Sequence, residues 1–342
     1  MPPKTPIYRI ITKSRVYPNA GPPKDPGEDI FSNFVIQYGD IERFEVLYPI
    51  GSGKYSVVFL GRADGKRACA IKALKNVPFS KIQREICLLN LVSKVPGVVQ
   101  VLGVVRDPLT QIVSLITEYQ SFESPKVFYP KLDLNDIRVL MYQILNCLNE
   151  CHKLGVMHRD IKPGNIIIGP DKLKATLIDF GLADLYYPET AYTTRVSTLR
   201  YKAPELLLNY QYYDYGIDIW GAGCVLAEML IKFPFFEGHS PDEMIAQVAS
   251  LCGTVQLLQY VDKYGLNLSQ DALSLFPTNQ SSGWLKYISL IKPAKYDEDA
   301  IRLLRTLLTI DHAERISAAE ALKHPFFDPI RKNMERGLPP YD

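Results

Sequence analysis

One change of texture, near residue 120, limits what this chain can fold into more than any other feature. From Phe44 to Tyr119 it is written in short apolar, β-branched runs. The segment "FEVLYPIGSGKYSVVFLGRADGKRACAIKAL" holds three of them, and Asp64-Gly65 reads as the hairpin turn between the second and third. Ser80 and Gln83 make a capping-box pattern ahead of a helix whose apolar face is Ile82, Ile86 and Leu89. Two further runs, "VVQVLGVV" and "IVSLITEY", complete a five-strand sheet with one helix. After Glu123 helical periodicity takes over. "LNDIRVLMYQILNCLNECHKLG" predicts a long helix closed at Gly155, with others around 204–210, 217–231, 241–253, 297–308 and 317–323. The pattern predicts an α+β protein with a small β-rich lobe, then a larger α-helical one, and a ligand cleft between them.

Length agrees, since 342 residues are many for a single core. The expected division is an irregular N-terminal segment over 1–43 packing on the rest, a first lobe over 44–119, a second over 120–327 and a tail over 328–342. A net charge of +2 carries no signal for a nucleic-acid or membrane partner. The six cysteines lie among apolar residues without CxxC spacing; Cys147 and Cys151, four apart on the long helix, read as packing residues. A reducing compartment is expected, cytoplasmic, nuclear or both, because neither a membrane-length apolar run nor a secretory core is present.

Against this background "GVMHRDIKPGNIIIG" stands out. His158, Arg159, Asp160, Lys162 and Asn165 crowd between apolar flanks that read as short strands holding a loop rigid. Upstream, "GSGKYSVVF" has Gly51 and Gly53, which let backbone approach phosphates, and Val58, which can cover a flat ring. A hairpin turn explains the same glycines equally well. "CAIK" places Lys72 on a strand, and Glu85 follows on the helix at a spacing that permits a strand-to-helix ion pair. Downstream, Asp179-Phe180-Gly181 ends the apolar run "LKATLI", where a carboxylate suits a hard cation and a plain turn is the ordinary alternative. Ala203-Pro204-Glu205 closes the segment, with Arg315 a candidate buried partner for Glu205.

In this order the motifs resemble those of protein kinases. The resemblance implies that Glu85 holds Lys72 against the α- and β-phosphates of a nucleotide, and that Asp160 accepts the proton of the attacking hydroxyl. Lys162 then neutralises the transferred phosphoryl group, and Asn165 and Asp179 bind magnesium or manganese. More closely, the chain is similar to the catalytic (alpha) subunit of casein kinase 2, from about Ser14 to about Phe327. The segments that carry this are "GSGKYSVVF", "KIQREI", "DIRVLMYQIL", "NYQYYDYGIDIWGAGCVLAEMLIKFPFFEGH" and "YVDKYGLNL". That family implies a cosubstrate site formed by Ile50, Gly51, Ser52, Gly53, Val58, Ala70, Lys72, Ile167 and Asp179, with a hinge at Glu118, Tyr119 and Gln120. It also implies Asp218 anchoring the catalytic loop, ATP or GTP as donor, Ser/Thr sites in acidic contexts as substrates, and a dimeric regulatory beta subunit as partner.

Departures from that family bear on specificity. Phe180 stands for its usual Trp, Thr117 for Phe, Gly164 for His and Leu199 for a basic residue, and only Lys81 remains of a run of four lysines. Three readings therefore stay open: a kinase like casein kinase 2, a related kinase of the cyclin-dependent and glycogen synthase kinase group with another, even proline-directed, preference, and a pseudokinase. Retention of Lys72, Asp160, Asn165 and Asp179 argues against the last. Activity without activation-loop phosphorylation is expected, with Phe31 and Phe34 bracing the loop; Tyr192, Thr193 and Thr194 are the hydroxyls that a phosphate-dependent alternative would pair with Arg159. The cations expected to face substrate are Lys75, Lys81, Arg84, Lys126, Arg195 and Lys202, giving an acidic preference at +1 that weakens over +2 to +4.

Overall fold

The computed structural model describes residues 8–23, 30–53, 55–75, 77–169, 174–231, 233–277 and 283–336. The leader at 1–7 and 24–29, Lys54 of the glycine-rich turn and the tail beyond Arg336 lie outside them. Strands β1 (Phe44–Ser52), β2 (Ser56–Ala63), β3 (Arg67–Leu74), β4 (Val101–Arg106) and β5 (Val113–Glu118) form one antiparallel sheet, in the order β1-β2-β3-β5-β4. Asp64 and Gly65 both take positive φ, +50° and +68°, in a tight turn that the Lys66 amide closes on the Ala63 carbonyl at 3.0 Å.

Register explains how this sheet makes two different surfaces. Lys72 lies opposite Val58 on one side and Leu115 on the other, and Ala70 lies opposite Thr117. Because side chains alternate, these five share the face turned toward the second lobe. Cys69, Ile71 and Ile116 turn the other way, into a small separate core with Ala63 and Val105.

Helix α1 (Phe79–Leu91) crosses the sheet and buries Ile82, Glu85, Ile86, Leu88 and Leu89. Its start corrects the expected capping box. Pro78 is the N-cap, no side chain caps the helix, and Ser80 sits within the first turn. Proline pre-sets the entry, which frees Gln83 to donate from Nε2 to the Phe34 carbonyl at 2.9 Å.

The second lobe begins with α2 (Pro125–Phe128) and the long α3 (Leu134–Lys153). Asp133 and Asp136 cap α3 reciprocally, and the helix ends before Gly155 at φ +77°. A side chain at Gly155 would strike the backbone of Gly21, so the N-terminal segment crosses there. Two short antiparallel pairs follow, β6 (Val156–Met157) with β9 (Asp184–Leu185), and β7 (Ile166–Ile168) with β8 (Ala175–Leu177). Then come α4 (Pro204–Leu207), α5 (Gly216–Leu230), α6 (Pro241–Cys252), α7 (Thr254–Tyr264), α8 (Gln270–Ser274), α9 (Gly283–Ile288), α10 (Glu298–Leu307), α11 (Ala318–Ala321) and α12 (Asp328–Glu335).

Helix α5 is the axis of this lobe: every one of its residues is buried, as its nearly all-round apolar text requires. The expected helix at 204–210 is only one turn, because Asn209 goes left-handed at φ +58°. Helix α7 escapes the reading from sequence, since its N-cap is Gly253 and no side chain signals the start. The expected tail is also partly helical: α12 buries Ile330, again without a side-chain cap. Among the described residues no single helix is long and apolar enough to cross a membrane.

The N-terminal segment packs on the second lobe through specific bonds. Thr12 Oγ1 meets His312 Nε2 at 2.9 Å, the Ser14 amide donates to the Tyr186 hydroxyl at 2.8 Å, and Tyr17 donates to Asn149 Oδ1 at 2.9 Å.

Candidate active site

The cleft between the lobes encloses about 320 Å3. Its roof is Ile50, Gly51, Ser52, Gly53, Val58 and Ala70, its back Leu115 and Thr117, its hinge Glu118, Tyr119 and Gln120, and its floor Asn165, Ile167 and Asp179. Ser56 also lines it, as do Leu89, Val99, Phe122 and Ile178; apolar residues of this kind carry no motif and are found only through the register of the sheet and the packing of α1.

Lys72 reaches across the back. Its Nζ donates to Glu85 Oε1 and to Asp179 Oδ1, both at 2.7 Å. Burial alone would lower the ammonium, but the two carboxylates outweigh it and hold Lys72 above its ordinary value. Burial likewise opposes ionisation of Asp179, and Lys72 beside it keeps the carboxyl below its usual range. Phe180 is fully buried, its ring 4.8 Å from that of His158. This packing turns Asp179 toward the cleft.

The polar loop is hung from α5. Asp218 accepts the His158 amide at 2.9 Å, the Arg159 amide at 2.7 Å and His152 Nε2 at 3.0 Å. Burial opposes its charge, yet these donors keep Asp218 below the ordinary carboxylate value. Gly221, one turn later, has no room for a side chain against Ile161, so loop and helix touch backbone to backbone. Arg159, Asp179 and Ser197 all hold positive φ, at +65°, +62° and +64°. Strain of about 1–3 kcal/mol at each such residue persists only where surroundings over-determine the backbone.

Asp160, 5% exposed, adjoins the cleft through Asn165. Its Oδ2 accepts Lys162 Nζ at 2.7 Å and Asn165 Nδ2 at 3.0 Å, and its Oδ1 accepts the Thr198 amide at 2.8 Å and hydroxyl at 3.0 Å. Lys162 Nζ donates to Thr198 Oγ1 as well, at 2.7 Å. Thr198 was not among the expected site residues; it lies in an unremarkable "VSTLRY", and only the fold of that segment brings it here.

The donor set fits a nucleotide with a hard divalent cation. Asn165 turns its amide nitrogen to Asp160, which leaves its amide oxygen as an acceptor, and Asp179 supplies a carboxylate. Among the described residues no three His, Cys, Asp or Glu cluster as a metal cage. Two oxygen ligands suit a cation that takes its remaining ligands from phosphates and water.

Around this centre the expected charges are partly committed elsewhere. Arg159 is 3% exposed; its Nη2 pairs with Asp184 Oδ2 at 3.0 Å, its Nε donates to the Leu182 carbonyl at 2.6 Å and its Nη1 to the Tyr213 hydroxyl at 3.2 Å. Arg84, expected to face substrate, pairs with the same Asp184 at 3.6 Å. Tyr192 is buried, its hydroxyl donating to the Leu185 carbonyl at 2.9 Å. Lys202 donates to the Thr194 carbonyl at 2.9 Å, and burial lowers its ammonium. Bracing of the activation segment comes from Lys13, paired with Glu189 at 2.8 Å, and from Ser14 and Pro22, bonded to Tyr186 and Tyr187. Phe34 offers its carbonyl to α1.

Farther down, Glu205 and Arg315 form the expected pair, fully buried and bidentate at 2.6 and 2.9 Å. This two-lobed architecture, with lysine, acid and metal-ligand candidates converging on one cleft, agrees with a family match over most of the chain. Residues 44–327 match the model of the protein kinase domain, and the chain belongs to the protein kinase family.

Proposed function

We propose that this protein kinase phosphorylates serine and threonine, using ATP with magnesium, in the manner of casein kinase 2 catalytic subunits. The observation that carries the residue preference is the triangle of Asp160, Lys162 and Thr198. Thr198 draws the segment that follows the activation loop onto Asp160, so the acceptor reaches the carboxylate on a short side chain. In this reading Asp160 takes or orients the hydroxyl proton, and Lys162 faces the charge that develops on the transferred group. Lys72, held by Glu85, orients the α- and β-phosphates, and Asn165 and Asp179 hold the cation, which neutralises phosphate charge when bound. Ile50, Val58, Ala70 and Ile167 enclose the base, with hinge backbone at Glu118 to Gln120. Manganese in place of magnesium, GTP as a second donor, a dimeric regulatory partner and a cytoplasmic or nuclear location belong to the same reading, on the strength of the resemblance.

Substrate preference follows from which cations stay uncommitted. Arg195, Lys75 and Lys126 are exposed, Lys81 lies 5.9 Å from the Tyr55 ring, and Arg84 and Lys202 are occupied. Exposed pairs contribute about 0.2–1 kcal/mol each, so an acidic preference is expected near +1 and only weakly at +2 to +4. Peptide arrays that move Asp through +1 to +4 measure it. Equal dependence at +3 and +1 refutes the graded preference, and a requirement for Pro at +1 assigns the chain to the proline-directed alternative.

Regulation follows from Asp184, which already gives Arg159 the anion that a loop phosphate would supply. Phosphatase-treated enzyme made in bacteria is expected to keep its activity. Asp184→Ala is expected to lower turnover by about tenfold, the value of one charge-assisted bond. A large loss on phosphatase treatment alone refutes constitutive activity.

A further inference from the structure

The second lobe carries a groove larger than the cleft. It lies between α7, α9 and the end of α10, holds about 450 Å3 and shares no lining residue with the nucleotide site. One face of α7 forms a wall with Gln256, Gln259, Tyr260 and Lys263, at the spacing of a single helical stripe. The walls are pinned from behind. The Tyr260 hydroxyl and His312 Nδ1 share a hydrogen bond at 2.9 Å, and the Cys252 thiol donates to the Leu308 carbonyl at 3.4 Å. At the Lys263 end, Asp311 accepts Lys263 Nζ at 2.6 Å and the Tyr264 hydroxyl at 2.7 Å, and Glu314 follows three residues on. Arg305 lies one turn before Leu308, so it marks the Cys252 end, with its guanidinium 5.6 Å from the ring of half-buried Trp284. Arg305 and Glu314 are both exposed, and among the described residues neither has an ion-pair partner. The groove is bipolar, cationic at one end and acidic at the other.

We propose that this groove is a docking site for an extended peptide segment of protein substrates, remote from the acceptor residue, that places an acidic side chain at Arg305 and a basic one at Glu314. Binding energy at protein surfaces concentrates on Trp, Tyr and Arg, and here a Trp–Arg pair stands beside an apolar floor of Leu308 and Ile310. Gln256 and Gln259 offer amide donors and acceptors, the chemistry that a peptide backbone needs. From Gln256 to Lys263 the wall runs about 10 Å, the reach of roughly three extended residues. A phosphate-bearing ligand is served badly, because Asp311 and Glu314 repel it and no glycine lines the groove. The placement also answers a need of the proposed reaction. Exposed cations near the acceptor discriminate weakly, so selectivity among proteins gains most from contacts elsewhere. Holding a second segment of the same substrate raises the effective concentration of its acceptor without touching the chemical step.

The probes are fluorescent peptides of about nine residues, apolar at the centre, with an acidic residue about four positions before a basic one or after it. By anisotropy, wild type is expected to prefer one order of the charges, and Arg305→Glu should weaken that binding about tenfold, as an attraction becomes a repulsion. The exchanged variant, Arg305→Glu with Glu314→Arg, should prefer the opposite order. Arg305→Gln, which removes only the charge, decides the matter if a reversal does not fold. Fusing the preferred peptide, through flexible linkers of graded length, to the best acceptor peptide from the arrays should lower the acceptor's KM about tenfold at unchanged kcat. Arg305→Glu should cancel that gain, while the unfused acceptor peptide and ATP keep their KM in every variant. Equal binding of both orders by wild type, an order preference that does not invert in the exchanged variant, or no gain at any linker length each overturn the proposal. It rests on the protein-substrate reading above, yet its binding is measured without turnover. Failure to phosphorylate Ser or Thr peptides defeats that reading, and absence of the order preference in an enzyme that does phosphorylate them defeats the docking site alone.

Discussion

Asp160→Asn is expected to lower kcat by roughly 100- to 10,000-fold, the contribution of a positioned acid–base group, with the far-UV circular dichroism unchanged. The carboxylate serves four donors, two at each oxygen. An amide keeps one oxygen and turns its own N–H groups either on Lys162 and Asn165 or on Thr198, so the carboxylate proposed as the base is lost and its setting disturbed together. Asp179→Asn isolates a different function. Asn tolerates the left-handed backbone at φ +62°, so the fold should hold while the negative charge facing Lys72 and the cation disappears. Turnover should collapse and the magnesium concentration needed for what remains should rise. Lys72→Met should be comparably inactive, because Glu85, 5% exposed, and Asp179 both lose their cation. These groups act as one unit, so a double variant should lose little more than either single one. Wild-type magnesium dependence in Asp179→Asn would remove it from the metal site, and near-wild-type turnover in Asp160→Asn would remove that residue from proton transfer.

The largest effect on stability is expected at the other end of the second lobe. Arg315 places all five of its donors: two on Glu205, and one each on the carbonyls of Gly216, Ile310 and Thr309. Its guanidinium lies 5.2 Å from the Trp220 ring. Glu205→Ala leaves that cation buried and half served, and Arg315→Ala leaves a carboxylate and three carbonyls without their donor. Each should cost about 3–5 kcal/mol and lower Tm on the order of 10 °C. The double variant should lose clearly less than the sum, since the second removal takes away an already unpaired charge. Additive losses in denaturant unfolding, or single losses below about 1 kcal/mol, would refute a strongly coupled pair.

The fold class was legible because each lobe carries its own period. Alternating runs with an Asp-Gly turn make β2 and β3, and a capped periodic stretch makes α3. Where a helix starts without a side-chain signal, at Gly253 or at Phe327, the text is silent and α7 and α12 go unread. At α1 the text misled: Ser80 and Gln83 have capping-box spacing, but Pro78 had already started the helix.

The candidate site divides in the same way. Short-range order determined the residues with chemistry, because a loop, a turn and a strand end can be recognised within a few positions: His158 to Asn165, Gly51 to Gly53, Asp179 to Gly181. Beyond the expected Lys72–Glu85 and Glu205–Arg315 pairs, only tertiary structure decided how they are partnered: Lys72 also meets Asp179, across 107 residues. Arg84 and Arg159 share Asp184, so neither cation stands free as composition alone would count it. Thr198, the N-cap of a 3-10 turn, reaches Asp160 across 38 residues, a pairing with no local signal. A local pattern specifies backbone conformation over one or two turns. Which charge neutralises which depends on what the closed lobes bring within about 3 Å, a distance that spacing along the chain does not encode.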